Sequence, residues 1–210
     1  MPAFRRKLER WRMAGFGLLA TLSAAALAPG RADAMTFSLD SQADGRTVLS
    51  ASGPILPGDF GQLIRFLDTM DKVKRMARLV IDSPGGFVNE AEKMAVTIHN
   101  IGLPVAVPEG ATCASACVLL LAAAPQRSAG EGARIGVHRA SFFGQENRAT
   151  LGATDGMVIH YEIYGVPRPI VEKMRATPPG GVTWLTEEDL AKMRIAAYHS
   201  EDTAEAAAAR

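Results

Sequence analysis

The sequence has 210 residues, of which 48% are hydrophobic and 21% charged. That profile fits one globular domain and excludes a disordered or fibrous chain. A net charge of +1, from 23 Lys and Arg against 22 Asp and Glu, excludes the basic field that non-specific nucleic-acid binding needs. Two cysteines, Cys113 and Cys117, are too few for a disulfide-rich scaffold or a four-ligand zinc site.

The first 34 residues stand apart in composition. A basic start (Arg5, Arg6, Lys7, Arg10, Arg12) precedes an apolar stretch from Met13 to Ala28, then Pro29-Gly30 and Ala32-Asp33-Ala34. This is the layout of a secretory signal peptide, with small residues where a peptidase cuts after Ala34. The alternative is an inner-membrane anchor facing the periplasm, but a span wants about 20 apolar residues and this stretch is shorter and rich in Ala and Gly. Removing residues 1–34 takes six basic and two acidic groups from the 23 and 22, leaving 17 against 20, so the mature chain carries −3. The expected location is periplasmic. A periplasmic enzyme works without ATP or coenzyme A.

No repeat or linker divides residues 35–200, which read as one domain followed by a loose tail, 201–210. Thr36 to Asp40 and Thr47 to Ser52 read as strands around an Asp44-Gly45 turn. Phe60, Leu63, Ile64, Leu67 and Met70 fall at helical spacing behind Pro57. Leu79-Val80-Ile81 is a short β-branched run stopped by Ser83-Pro84-Gly85-Gly86, a buried strand ending in a tight loop. Ala91, Met94, Ala95 and Ile98 mark one face of a second helix. Pro104 to Val107 reads as a strand, an apolar helix follows Cys117 to about Ala124, and Ile135 to His138 reads as a further strand. Later helices are expected at Met157 to Tyr164, Ile170 to Arg175 and Glu187 to Met193. Alternation of this kind predicts a layered α/β fold with largely parallel strands.

Three loops carry groups that a serine hydrolase needs. Glycines in Pro84-Gly85-Gly86 permit close approach and can expose backbone N–H groups, the material of an oxyanion hole. Ser115 sits between small residues at a strand-to-helix junction, where the opening helix aims free N–H groups at an incoming carbonyl. His138 ends the next strand, and an imidazole titrating near neutral pH can take the serine proton. Each has a plainer reading: a helix cap or packing residue for Ser115, a structural histidine for His138, and only a turn for Pro-Gly-Gly.

Order and spacing join the three. Ile81-Asp82-Ser83-Pro84-Gly85-Gly86, then 29 positions from Gly86 to Ser115 within Ala-Ser-Ala, then a strand ending in Val137-His138, resembles ClpP, the proteolytic subunit of the Clp protease, over about Thr47 to Ile195. With the signal peptide and Cys-Ala-Ser-Ala-Cys, the chain looks most like the periplasmic ClpP-like branch. The resemblance implies a ClpP/crotonase-like fold of repeated ββα units, Ser115 as nucleophile, His138 as general base, and an oxyanion hole from the amides of Gly86 and Ala116. It implies a peptide or protein substrate and a homo-oligomer, with no cofactor and no metal. Export disfavours an ATPase partner.

The pattern breaks at the triad acid. Alignment on Leu185-Thr186 puts Val182 at the acid's place, beside Gly180 and Gly181. A Ser-His dyad oriented by a backbone carbonyl or a water is one reading, and Asp155 as substitute third member is another; the plainer reading of Asp155 is an N-cap for a helix near Met157. Between His138 and Gly165 the chain is shorter than the handle helix through which ClpP rings stack. Lys93 would serve a Ser-Lys mechanism but reads more simply as part of a solvated face. Cys113 and Cys117, four positions apart around Ser115, are either a disulfide, given Cα atoms within about 7 Å, or two buried thiols. The function reading is an ATP-independent serine peptidase. Its rival is an inactive scaffold that keeps the peptide groove.

Overall fold

The computed structural model describes residues 34–42, 45–67 and 76–198. Residues 1–33 of the expected signal peptide, Asp44 of the expected turn, Met70, and the tail lie outside them. Strands β1 (Thr36–Ser41) and β2 (Thr47–Ser52) pair antiparallel. From β2 onward the main sheet is parallel. Its order is β1-β2-β3-β4-β6-β9, with β3 at Met76–Asp82, β4 at Val105–Val107, β6 at Arg127–Ala129 and β9 at Ile195–Ala197. A smaller sheet takes the order β5-β7-β8 (Thr112–Ala114, Arg134–Val137, Thr183–Trp184), parallel between β5 and β7 and antiparallel between β7 and β8. This is a layered α/β fold with largely parallel strands, as the sequence predicts.

Helix α1 (Asp59–Leu67) follows the β2 loop, and α2 (Val88–Ile101) buries Ala91, Met94, Ala95 and Ile98, the stripe read from the sequence. Gly102, at φ +66°, ends α2 in the left-handed conformation that glycine takes without cost. All seven residues of α3 (Cys117–Ala123) are buried. A helix apolar on every side belongs at the centre of the molecule, and α3 packs on α2 and α4 with the β5–β7 sheet at its start.

Four strands escaped the sequence reading: β5, β6, β8 and β9. Each is two or three residues long, too short to show alternation, and is defined by partners distant in the chain. The later helices are α4 (Arg148–Ile163), α5 (Arg168–Ala176) and α6 (Glu187–Lys192). Helix α4 starts nine residues before the expected Met157, because Asn147 caps it, accepting from the Thr150 amide while Thr150 returns a bond to the Asn147 amide. Exposed Leu151, Ile159 and Ile163 and the glycines at 152 and 156 erase its stripe. The N-cap reading of Asp155 is thereby corrected, since Asp155 lies inside α4.

Arg127 locks the ends of three helices. Its Nε donates to Ala124 O (3.1 Å), Nη1 to Met193 O (3.2 Å) and Nη2 to Tyr164 O (2.6 Å), the residues that close α3, α6 and α4. Helix C-termini carry unsatisfied carbonyls and the negative end of the dipole, so one guanidinium serves all three. Burial, with Arg194 nearby, pushes its pKa down.

Asp189 is a second buried charge, in the first turn of α6. It accepts from the Thr186 amide and from Lys173 of α5. Burial raises its pKa, but the Lys173 and Thr186 hydrogen bonds outweigh burial and hold the carboxyl below its ordinary value. A depressed carboxylate stabilises the fold above the unfolded aspartate value of about 3.9, and that contribution is lost as pH falls through the folded value. Asp189→Asn is therefore expected to lower the unfolding temperature at neutral pH and to flatten its acid fall, read from thermal melts across that range.

Candidate active site

The two sheets meet where β3 ends. Ser83 N donates to Thr112 O (2.7 Å) and Ser83 O accepts from Ala114 N (3.0 Å), a parallel bridge to β5, while Asp82 Oδ1 accepts from Thr112 N (3.0 Å). The chain past β3 is thus laid beside the turn between β5 and α3. Ser83 is fully buried, and its Oγ accepts from Gly85 N (3.1 Å), folding the loop back. Gly85 touches the Ser115 turn: at φ +93°, a Cβ there would stand 2.5 Å from Ala114 O, 2.7 Å from Ser115 Cβ and 2.9 Å from Ala116 N. Only glycine fits.

Gly86 is pinned from its other side by Ile55, whose amide donates to Gly85 O (2.8 Å) and whose carbonyl accepts from Phe87 N (2.9 Å). This pairing passes over the Gly86 amide. The N–H groups of Gly86 and Ala116 have no hydrogen-bond acceptor among the described residues. Two open amides on two touching loops are the elements from which an oxyanion hole is made.

Ser115 takes φ +56°, one of three described non-glycine residues with positive φ. Its amide donates to Gly136 O (2.9 Å), where β5 and β7 run out in parallel register, Ala114 opposite Gly136. His138 follows β7 directly and, like Ser115, is half-buried. The Ser115 backbone is tied to Gly136, two residues before His138, and the two side chains make no direct hydrogen bond in this structure. His138 Nδ1 lies 2.7 Å from Arg139 O. A carbonyl only accepts, so Nδ1 carries the proton in the neutral ring and Nε2 keeps the lone pair a base needs. Arg139 is itself clamped: Nε and Nη2 grip Glu146, Nη1 donates to Arg175 O (2.7 Å), and the Arg139 amide donates to Thr177 O (3.0 Å).

Val182 belongs beside this histidine. The β7–β8 ladder ends on the pair Val137–Thr183, so Val182 and His138 are the next residues at the two strands' ends. Its side chain covers Gly136, where a Cβ would come 2.5 Å from Val182 Cγ1. Asp155 is not brought to the imidazole. Its carboxylate accepts from Arg175 (3.2 Å) on an exposed surface, and the partner of His138 Nδ1 is a carbonyl; the third-member reading is corrected accordingly. Lys93 pairs with Glu90 (3.0 Å) on the open face of α2. Cys113 and Cys117 form a disulfide with Cα atoms 5.3 Å apart.

Sequence reasoning missed Ser83 Oγ, the steric role of Gly85, and the Arg139 clamp. Ser83 and Gly85 stood inside a quoted motif, but their contacts are made across the sheet gap; Arg139 and Glu146 leave no local pattern. Among the described residues no group of three or more His, Cys, Asp or Glu is placed to hold a metal ion. A cleft of about 510 Å³, lined in part by His99, Arg127, Tyr164 and Arg194, includes none of Gly86, Ser115 and His138.

A mixed, mainly parallel sheet whose glycine loop is laid against a serine-bearing turn defines the ClpP/crotonase-like class. The family model described as Clp protease matches residues 59–159, a span that includes Gly86, Ser115 and His138. Similar solved structures include the membrane-bound stomatin-specific protease 1510-N, at 18% identity and TM-score 0.56, covering 75% of this chain and 81% of that one. ClpP1 from Listeria monocytogenes matches at 17% identity and TM-score 0.54, covering 71% and 90%. An enoyl-CoA hydratase from Shewanella pealeana matches at 10% identity and TM-score 0.52, covering 84% and 72%. These likenesses carry the fold. No curated protein matches the chain.

Proposed function

We propose that the protein is an exported serine peptidase of ClpP-like type that cleaves peptide bonds without ATP, using Ser115 as nucleophile and His138 as base. The observation that carries the reading is the contact of Gly85 with Ser115 and Ala116, which brings the open amides of Gly86 and Ala116 to the serine. Nucleophilic attack turns a peptide carbonyl into an oxyanion, and donors already in place stabilise that charge without reorganising. The Ser115 proton passes to His138 Nε2, and the Arg139 carbonyl holds the tautomer that can receive it. Among the described residues no carboxylate is hydrogen-bonded to His138, so the imidazolium is less stabilised than in a triad and slow turnover is expected.

An inactive peptide-binding scaffold is the second reading, favoured by Val182 where the ClpP pattern has an acid, next to the Val137–Thr183 pair. The deciding experiment is labelling of the purified mature chain with a fluorophosphonate probe, which reacts with an activated serine whatever the natural substrate. Covalent addition mapped to Ser115 supports the peptidase, and a chain that stays unlabelled is the scaffold. Export rests on the composition of residues 1–34, and protein from a periplasmic extract is expected to begin Met35-Thr36-Phe37. A full-length cytoplasmic product would reopen ATP-dependent partners. A homo-oligomer is part of the proposal, as expected of a ClpP-like protein.

A further inference from the structure

The turn at Ser115 is costly for its sequence. A left-handed conformation presses the Cβ of an L-residue toward the following carbonyl, and such residues persist only where their surroundings impose the geometry. Ser115 is held on its two flanks by the bond from its amide to Gly136 O and by the bonds from Ala114 N to Ser83 O and from Val118 N to Ser115 O. It is also the middle residue of the five enclosed by the Cys113–Cys117 bridge, which runs from β5 to the first residue of α3. Both cysteines are fully buried, so the bridge offers nothing to a ligand and acts only on the chain between its ends.

Loop length separates two uses of such a bridge. Stabilisation through the unfolded chain grows with the number of residues enclosed, and a five-residue ring is near the least effective choice for that purpose. Fixing local geometry has the opposite dependence, because few torsions remain free in a small ring. We propose that the Cys113–Cys117 disulfide is a positioning element that holds Ser115 in its left-handed turn and keeps the Ala116 amide open beside Gly86. The proposal rests on the peptidase reading above. Opening the bridge takes two electrons and two protons, which a dithiol reductant supplies while becoming a disulfide itself, and leaves two thiols and a turn free to relax.

The test is fluorophosphonate labelling of wild type and of the Cys113→Ala/Cys117→Ala double variant, with the saturation constant and the maximal labelling rate measured separately and thermal melts recorded alongside. A positioning role predicts a folded double variant whose maximal rate is lower by on the order of tenfold, the size set by strain at one residue, with an unchanged saturation constant and labelling that still runs to completion. A merely structural role would instead move the melting temperature and leave the maximal rate of the folded fraction intact. A folded variant labelled at the wild-type rate overturns the proposal and leaves the peptidase reading standing. Wild type that is not labelled overturns that reading itself. Where the double variant does not fold, wild type treated with dithiothreitol under native conditions, with free thiols counted by mass after alkylation, gives the same comparison. Unfolding there as well would make the bridge a support of the whole domain and overturn the proposal.

Discussion

Replacing His138 by alanine is expected to slow fluorophosphonate labelling of Ser115 by about 10³-fold, within the range of 10²–10⁴ that a positioned acid-base group contributes, while Ser115→Ala removes labelling altogether. The two act as a unit, so the double replacement is expected to be no worse than Ser115→Ala alone. The same chemistry predicts a gain. Val182 and His138 each lie one residue beyond the Val137–Thr183 pair, and Val182→Asp would bring a carboxylate to that end of the ladder. Loss of the carboxylate's function in an intact triad costs about 10⁴-fold, but here His138 Nδ1 is already engaged by Arg139 O. A gain of about tenfold, or roughly 1.4 kcal/mol of barrier, is therefore expected in the rate on a generic ester. Asp155→Asn is expected to change the rate little, because its carboxylate serves Arg175. Labelling that survives Ser115→Ala would refute the nucleophile assignment.

Arg127→Ala is expected to destabilise the fold by about 4 kcal/mol. Hydrogen bonds to charged groups contribute about 1.5–3 kcal/mol each; three are lost here, and partial access of water to the freed carbonyls recovers some of that. At about 2–4 °C per kcal/mol for a domain of this size, the melting temperature should fall by roughly 10 °C. Arg127→Lys should restore less than half of the loss, because a single ammonium lacks the planar fork that reaches three carbonyls at once. A change of less than about 1 kcal/mol in the alanine variant, measured by denaturant titration, would show that the three helix ends are held by their packing instead.

The legible parts of the fold were those with a period of their own. The 91-94-95-98 stripe of α2, the β-branched run of β3 and the all-apolar α3 each declare their element within a dozen residues, and all three form as read. Strands β6 and β9 declare nothing, because two tripeptides become strands only by pairing with each other and with β4. The candidate site divides in the same way. Glycine-rich loop, serine and histidine could be picked out because their types are chemically scarce and ordered as in ClpP. The partner of His138 could be named only as a type, a backbone carbonyl; that it is the next residue's was not legible, since any residue supplies one. Asp155 drew attention as a substitute acid or a helix cap, and it is neither: its carboxylate accepts from Arg175, twenty residues on.

The place of β9 bears on when this chain can fold. The strand that completes the main sheet beside β6 is Ile195–Ala197, and Arg127 waits for the carbonyl of Met193. During synthesis the segment carrying Gly86, Ser115 and His138 therefore emerges well before the sheet edge and the guanidinium find their last partners. Parallel pairing over long sequence separations is slow in any case. The sheet edge and the Arg127 clasp thus form only after the segment carrying Gly86, Ser115 and His138 has been made, and a chain cut before Met193 is expected to lack both.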